Sequence, residues 1–229
     1  MNVVALIPVK GFRNAKQRLS PRLSCAAREL LAEAMFHDIL AQVRMARGIA
    51  ATFVVTGDDK VAGIALTAGA EVIRESEENG ETAAVDFARA ELASAGCEAA
   101  LIIPGDMPLV RAADLEMVLA QVPASAAAPF ALLVPSHDRL GTNALLLAPP
   151  DVIELRFGHD SFNFHMRQVR ARGLPVRFYE NEHIALDIDE PNDLERFLSY
   201  ELADGEATRV ARRVLAEPAA RVQRRSENT

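Results

Sequence analysis

A short basic loop follows the first apolar run of the chain. The stretch IPVKGFRNAKQRLSP contains four cations, Lys10, Arg13, Lys16 and Arg18, with no acidic residue between them. Like charges this close repel one another, so such a loop either spreads them into water or holds an anion between them. The loop is therefore a candidate site for a small anion, with a solvated charged surface as the alternative.

Three carboxylates form a second group of candidates. Asp106 ends an apolar run in IIPGDMP, and Asp187 and Asp189 are two residues apart in LDIDEP. A carboxylate at the end of a buried strand is costly unless it is paired, and aspartates spaced i, i+2 on a strand point to one face. Oxygen ligands of this hard type suit magnesium, which would offset their repulsion. The alternatives are a turn or cap role for Asp106 and a helix cap at Asp189.

Two further segments carry groups that bind anions. RLGTNALLL places Gly141, Thr142 and Asn143 just before a strand, and RFGHDSFNFH places Gly158 and Ser161 at the start of a helix. Backbone N–H groups at a helix N-terminus, together with a serine hydroxyl, form a seat for phosphate. A plain N-cap role for Asp160 or Ser161 is the alternative.

The remaining reactive side chains carry little signal. His159 and His165 flank the predicted phosphate seat, where each either donates to a ligand or lies at the surface. Cys25 and Cys97 are far apart in sequence and have no metal-binding spacing, which favours reduced, structural thiols. The motifs contain no serine–histidine or cysteine–histidine pair, so they do not indicate a covalent nucleophile.

The composition is that of an ordinary globular protein. Of the 229 residues, 50% are hydrophobic and 25% charged, and the formal net charge is -7. Surfaces that bind nucleic acid or anionic membranes are usually basic, so neither partner is expected. The sequence has no apolar run of about 18 residues and no basic leader before a long apolar segment, so neither a membrane span nor a signal peptide is expected. The reduced cysteines fit a cytoplasmic protein.

Short apolar runs alternate with helical patterns in the first half of the chain. Strands are predicted at 3–9, 51–57, 70–75 and 99–106, and helices at 24–47, from Asp58 or Asp59 to near Gly69, and at 81–96. This alternation predicts an α/β fold with a mostly parallel sheet and helices on both faces. Ligands of such sheets bind beyond the carboxyl ends of the strands, where the basic loop and Asp106 fall.

The second half is less regular. Strands are predicted at 130–136, 142–149, 175–180 and 184–189, and helices at 160–173 and 190–202. No internal repeat or low-complexity linker is found, so residues 1–202 are predicted to form one domain. Residues 203–229 are predicted to add an amphipathic helix around TRVARRVLA and a frayed, flexible tail.

Five motifs, in this order, resemble one known family. PVK…AK.RL, PGDMPL, GTNALLL, FG..SF..H and LDIDEP.DL are similar to the guanylyltransferases of deazaflavin coenzyme biosynthesis. These include 2-phospho-L-lactate guanylyltransferase and its phosphoenolpyruvate and 3-phosphoglycerate relatives. The resemblance covers residues 3–200, and the opening loop also resembles that of GT-A-like nucleotidyltransferases in general.

The resemblance implies a single-domain, GT-A-like enzyme. It would join GMP from GTP to the phosphate of a phosphorylated three-carbon acid, namely 2-phospho-L-lactate, phosphoenolpyruvate or 3-phospho-D-glycerate, and release pyrophosphate. The motifs do not show which acid is used, and they leave a homo-oligomer open. The alternatives are a molybdopterin guanylyltransferase, a sugar-phosphate cytidylyltransferase, a GT-A glycosyltransferase, or a non-catalytic nucleotide-binding module.

The resemblance also implies roles for individual residues. Catalysis would involve Lys16 and Asp106, and Mg²⁺ would be held by Asp106, Asp187 and Asp189. Nucleotide contacts would come from Pro8, Lys10, Lys16, Arg18, Gly80, Thr82 and Gly105. Contacts to the acid would come from Thr142, Gly158 and Ser161. Glu81 and Thr82 replace the LN.A pattern of the family, so the contacts to guanine stay open.

Overall fold

The computed structural model describes residues 2–75, 80–122, 129–201 and 204–216. The strands are β1 (Val3–Pro8), β2 (Ile49–Thr56), β3 (Glu71–Arg74), β4 (Ala99–Ile102), β5 (Phe130–Pro135), β6 (Thr142–Ala148) and β7 (Arg177–Phe178). The helices are α1 (Cys25–Met45), α2 (Asp59–Thr67), α3 (Glu81–Ser94), α4 (Ala112–Ala120), α5 (Ser161–Ala171), α6 (Pro191–Ser199) and α7 (Glu206–Ala216).

The strands form one sheet in the order β3-β2-β1-β4-β6-β5-β7. β1 is parallel to β2 and β4, β2 to β3, and β5 to β7, whereas β6 is antiparallel to both β4 and β5. The predicted α/β fold with a mostly parallel sheet is confirmed. Because β6 runs against β4, its first residue, Thr142, lies at the same edge of the sheet as the end of β4.

Side chains of the central strands alternate between two hydrophobic layers. Ala5 and Ile7 of β1 pack on one face of the sheet with α1, α2, α4, α6 and α7, and Val4 and Leu6 pack on the other face with α3 and α5. Helices on both faces bury the whole of β1, which explains its uninterrupted apolar sequence.

The predicted helix starts are confirmed in the first half. The Ser24 side chain accepts a hydrogen bond from the backbone N–H of Ala27, and Asp58 does the same for Val61. Sequence reasoning missed α4, although the backbone N–H of Arg111 donates to the Asp114 carboxylate at its first turn.

One predicted strand is wrong. Residues 184–189 do not pair as a strand, and single backbone bonds from His137 N–H to the Ala185 carbonyl and from Ile188 N–H to the Asp106 carbonyl hold them instead. Leu186 and Ile188 are nevertheless fully buried. The apolar alternation that suggested a strand therefore arises from burial of every second residue, without a ladder of hydrogen bonds.

The C-terminal helix packs against the rest of the fold. Ala207, Val210 and Ala211 of α7 belong to the same hydrophobic layer as α1 and α6. The frayed tail predicted at the C-terminus lies outside the described residues, which end at 216, and the domain boundary near residue 202 stays a prediction. Of the helices described, none has the length and apolar character needed to cross a membrane. The cytoplasmic location also stays a prediction.

Candidate active site

The basic loop folds back toward the carboxyl edge of the sheet. Lys16 has a left-handed backbone conformation, with φ of 52°, just before a 3-10 turn at Gln17–Leu19. The buried Arg28 side chain donates to the carbonyls of Ala15 and Leu23, on either side of this turn. The Lys16 side chain is thereby directed inward, and only 9% of it is exposed.

Lys16 joins two carboxylates that are distant in sequence. Its Nζ lies 2.6 Å from Asp106 Oδ2 and 2.7 Å from Asp189 Oδ1. Burial lowers the pKa of Lys16, but the charges of Asp106 and Asp189 outweigh burial and raise the pKa above its usual value. Burial raises the pKa of Asp189, whereas the Lys16 ammonium lowers it and gives a net decrease. Lys16 is therefore a permanent cation at this position.

Asp106 is held by close packing of the turn that follows β4. A Cβ on Gly105 would lie 2.9 Å from Val9 Cγ2, so glycine is required for the turn to approach the basic loop. The backbone carbonyl of Asp106 accepts the bond from Ile188. This turn therefore contacts both the basic loop and the segment that carries Asp187 and Asp189.

Asp187 and Asp189 are fixed by neighbours from other elements. Asn143 Nδ2 donates to the Ile184 carbonyl at 2.9 Å and to Asp187 Oδ1 at 3.1 Å. Asp193 Oδ2 accepts from the backbone N–H groups of Asp189 and Glu190 at 3.1 and 2.7 Å. Because Asp193 bonds these N–H groups at the start of α6, the Asp189 carboxylate is left to pair with Lys16.

The centre has more carboxylate charge than Lys16 can offset. Burial, followed by the charge of Asp106, raises the pKa of Asp187 to about 6. The same two causes raise the pKa of Glu81 to about 7. The guanidinium of Arg18 is 3.8 Å from Asp189 Oδ2, but 70% of its side chain is exposed. Solvent screening weakens such an exposed pair, so the carboxylates keep an excess of negative charge.

The chemistry of these donors suits a divalent cation. All are carboxylate oxygens, the type that magnesium prefers. Within the described residues, however, no group of three or more histidine, cysteine, aspartate or glutamate side chains is already arranged around a metal position. The ammonium of Lys16 lies between Asp106 and Asp189 instead. The predicted magnesium site stays a prediction, and a cation shared by these two carboxylates requires Lys16 to move.

We expect Asp187→Asn to stabilise the metal-free protein. The pKa of Asp187 is higher in the folded state than in the unfolded state. The protonated form favours folding at pH values below the unfolded pKa, and this contribution to stability is lost as the pH rises through the folded pKa. At pH 7 the amide should therefore stabilise the fold by about 1 kcal/mol, because partial exposure screens part of the effect. Thermal unfolding in EDTA should show a rise of about 2–4 °C at pH 7 and little change at pH 4.

The exposed Asp151 provides the control for this measurement. Asp151→Asn should leave the melting temperature unchanged at both pH values. A lower melting temperature for Asp187→Asn at pH 7 would contradict the charge excess described above.

Two cavities meet at this charged centre. The first, of about 510 Å³, is lined by residues 8–16 of the basic loop together with Glu81, Gly105 and Asp106. The second, of about 550 Å³, is lined by the other predicted groups, including Thr142, Gly158, Ser161, Asp187 and Asp189. Both cavities share Glu81, Pro104 and Asp106. Ligands in the two cavities would therefore face each other across Asp106.

Comparison with known protein families identifies the chain. The family described as "Guanylyl transferase CofC like" matches residues 3–213. The chain belongs to this guanylyltransferase family. Membership confirms the predictions of the family and of a nucleotidyltransferase enzyme.

Curated relatives differ in the acid that their names specify. A phosphoenolpyruvate guanylyltransferase from Rubrobacter xylanophilus is 37% identical over 86% of this chain and 93% of its own length. A 2-phospho-L-lactate guanylyltransferase from Methanothermobacter thermautotrophicus is 33% identical over 85% and 83%. A 3-phospho-D-glycerate guanylyltransferase from Phenylobacterium zucineum is 34% identical over 93% and 95%.

A solved structure supports the fold assignment. A protein from Desulfovibrio desulfuricans G20, assigned as a nucleotide-diphospho-sugar transferase, superimposes with a TM-score of 0.76. The match covers 93% of this chain and 95% of that one at 16% sequence identity. At this identity the likeness shows the fold alone.

The residues of this guanylyltransferase that are predicted to contact the nucleotide do not all line the same cavity. Pro8, Lys10, Lys16 and Gly105 line the first cavity, whereas Arg18 lines the second. Gly80 and Thr82 are not among the described residues that line either cavity. Gly80 precedes α3 with φ of 98°, and Thr82 Oγ1 accepts a bond of 3.0 Å from the Phe157 N–H. Thr82 therefore supports the loop before Gly158.

The predicted contacts to the acid lie together. Thr142 and Ser161 are 5% and 1% exposed, and the Thr142 N–H donates to Ser161 Oγ at 3.0 Å. Gly158 has φ of 100°, a conformation that favours glycine. The Asp160 side chain caps no backbone N–H at the start of α5. Ser161 lines the second cavity. The N-cap role considered for Asp160 or Ser161 is not observed.

Sequence reasoning named Glu81 and Asn143 without giving them their positions in this site, and it did not single out Asp193. Glu81 lines both cavities, Asn143 fixes Asp187, and Asp193 fixes the backbone of Asp189. Asn143 lies in the motif GTNALLL and Asp193 in the motif LDIDEP.DL. Their place in these motifs was the sequence signal that could have identified them. Their roles depend on contacts between distant segments, so spacing alone could not assign them.

Proposed function

We propose that this guanylyltransferase binds GTP in the first cavity and a phosphorylated three-carbon acid in the second. The enzyme joins GMP to the phosphate of the acid and releases pyrophosphate. The main support for the proposal is that Asp106 lines both cavities and pairs with Lys16 at 2.6 Å. The reacting ends of two anions would thus meet at one charged centre.

The reaction requires no general base from the protein. An oxygen of the acid's phosphate attacks the α-phosphorus of GTP and forms a diphosphate bond. The bond between the α-phosphorus and its oxygen bridge to the β-phosphate breaks, and pyrophosphate leaves with the electron pair. The second pKa of a phosphate monoester is near 6, so the attacking oxygen is already ionised at neutral pH.

The chain contributes position and charge. Lys10, Arg13 and Lys16 line the first cavity, where a triphosphate would offset the repulsion among them. Lys16 lies in the wall of the first cavity, and once a divalent cation takes its place between Asp106 and Asp189, its ammonium is released to stabilise charge that develops on the departing phosphates. Holding both reactants at Asp106 supplies the proximity on which phosphoryl transfer depends.

We also propose Mg²⁺ as the cofactor, held by Asp106, Asp187 and Asp189. When bound, it would offset the negative charge that the nucleotide and the acid bring together. The support is electrostatic: the second cavity is lined by Asp106, Asp187, Asp189 and Glu81, which would repel a phosphorylated acid. A divalent cation turns that repulsion into attraction.

The test is product identification with each combination of substrates. The protein is incubated with Mg²⁺, one of GTP, ATP, CTP or UTP, and one of phosphoenolpyruvate, 2-phospho-L-lactate or 3-phospho-D-glycerate. Pyrophosphate release and product mass are then measured. We expect a GMP–acid adduct with GTP and at least one acid, whereas preference for another nucleotide or the absence of an adduct would contradict the proposal. The use of the product in deazaflavin coenzyme biosynthesis stays a prediction.

Ser161→Ala should weaken binding of the acid more than binding of GTP. The hydroxyl lies in the second cavity, and loss of one hydrogen bond to an anion should raise the KM of the acid by about tenfold. The KM of GTP should change by less than about twofold. Initial rates with one substrate varied at a time measure both values.

Ser199→Ala is the matched control for this prediction. Ser199 is exposed, and its hydroxyl donates to the Arg196 carbonyl at the end of α6. Its removal should leave both KM values unchanged. Equal increases of both KM values in Ser161→Ala would argue against a separate seat for the acid.

A further inference from the structure

His165 is a buried residue of α5 with two defined hydrogen bonds. Its ring has no exposed surface and lies edge-on to Phe157 and Phe164. Nε2 is 3.1 Å from the backbone nitrogen of Arg156, and Nδ1 is 2.9 Å from Thr142 Oγ1. A backbone N–H only donates, so Nε2 must be the acceptor in the first contact.

This contact fixes the tautomer of the ring. Burial lowers the pKa of His165 to about 3, and the nearby charges of Arg156 and Arg89 add to the effect. The ring is therefore neutral at physiological pH, and its single proton lies on Nδ1. Nδ1–H then donates to Thr142 Oγ1, which makes this oxygen an acceptor toward the protein.

The Ser161 hydroxyl oxygen is also a hydrogen-bond acceptor toward the protein. Ser161 Oγ accepts from the Thr142 backbone N–H at 3.0 Å. Among the described residues, neither hydroxyl has a further hydrogen-bond partner that could accept its proton. Both residues line the second cavity. Each hydroxyl is thus left to donate its hydrogen to a ligand in that cavity.

We propose that His165 is a positioning residue for the acid substrate, because its Nδ1–H directs the Thr142 hydroxyl to act as a donor. This inference rests on the proposed function. A pair of O–H donors matches an ionised phosphate or carboxylate, whose oxygens only accept hydrogen bonds. Hydrogen bonds to such charged acceptors are stronger than hydrogen bonds between neutral groups. A ring with its proton on Nε2 would instead accept from Thr142 and remove one donor from the cavity.

Two substitutions separate this role from a merely structural one. In His165→Asn, the amide nitrogen lies near the position of Nδ1 and can still donate to Thr142. In His165→Gln, the amide reaches the position of Nε2 and can still accept from Arg156, but the donor to Thr142 is lost. We expect His165→Gln to raise the KM of the acid by about tenfold and His165→Asn by less than about threefold, with the KM of GTP unchanged in both.

The tautomer is measured directly on the unaltered protein. In a histidine-labelled sample, ¹⁵N NMR should show His165 Nδ1 protonated and Nε2 unprotonated from pH 5 to pH 8. A proton on Nε2, or a larger effect of the asparagine variant than of the glutamine variant, would overturn the inference. If the parent forms no adduct with any acid, the proposed function fails, whereas a confirmed tautomer without the kinetic difference overturns only the role of His165.

Discussion

Lys16→Ala should lower kcat/KM for GTP by about 10²- to 10³-fold. The side chain is 9% exposed and holds a fixed ammonium between Asp106 and Asp189. Loss of one cationic donor toward charge that develops on the phosphates costs rate enhancement of this size. The substitution also leaves the two carboxylates without their shared cation, which increases repulsion of the triphosphate. Steady-state rates with GTP varied at a saturating concentration of the acid give the value.

Lys60→Ala is the matched control for this substitution. Lys60 Nζ lies 2.6 Å from Glu33 Oε2, the same separation as between Lys16 and Asp106, but its side chain is 59% exposed. Exposed pairs contribute little, so kcat/KM and stability should stay close to those of the parent. Circular dichroism of Lys16→Ala checks that the fold is retained. A decrease in kcat/KM of less than tenfold would exclude Lys16 from the reaction centre.

Asp106→Asn should lower kcat by a similar factor, about 10²- to 10³-fold. Asp106 lines both cavities, as Glu81 does, and pairs with Lys16, so its charge would act where the two proposed binding sites meet. The amide is nearly isosteric but is a weaker ligand for a hard cation. Initial rates should therefore require more Mg²⁺ to reach half of the maximum, and a titration with the metal measures this shift.

The control for Asp106→Asn removes a paired carboxylate at the surface. Asp59 pairs with Arg74, and 95% of its side chain is exposed. Asp59→Asn should leave both kcat and the magnesium dependence unchanged. If Asp106→Asn also matches the parent at every concentration of Mg²⁺, Asp106 has no role at the junction of the cavities.

The sequence predicted the elements of the sheet because their signals are local. β1 is buried on both faces, so its apolar run is continuous, and Ser24 and Asp58 cap helices through bonds three residues away. The strand predicted at 184–189 was wrong for a physical reason. Leu186 and Ile188 are buried in the hydrophobic layer that also contains Ala144 and Leu146 of β6, so the alternate burial in that segment is a property of the tertiary fold.

The predicted site residues came from strand ends and from the resemblance, and their roles stay predictions. Lys16 and Asp106 lie close together because they follow β1 and β4, parallel neighbours that end at the same edge of the sheet. Asp189 reaches them from a segment that forms no strand. The pairing of Lys16 with both carboxylates did not follow from the sequence, because the local left-handed backbone at Lys16 sets the direction of its side chain. The bond from Phe157 to Thr82 likewise joins segments 75 residues apart, which no local pattern reveals.

The proposed reaction depends on a cation and two anions meeting at Asp106, and a crystal structure with Mn²⁺, the acid and a GTP analogue that has a methylene group between its α- and β-phosphates tests this most directly. Mn²⁺ replaces Mg²⁺ because its anomalous scattering marks its position. We predict one Mn²⁺ peak within bonding distance of Asp106, Asp187 and Asp189, with Lys16 Nζ moved from the Asp106–Asp189 pair to the phosphates of the analogue. A peak away from these carboxylates, or the analogue bound outside the first cavity, would contradict the account.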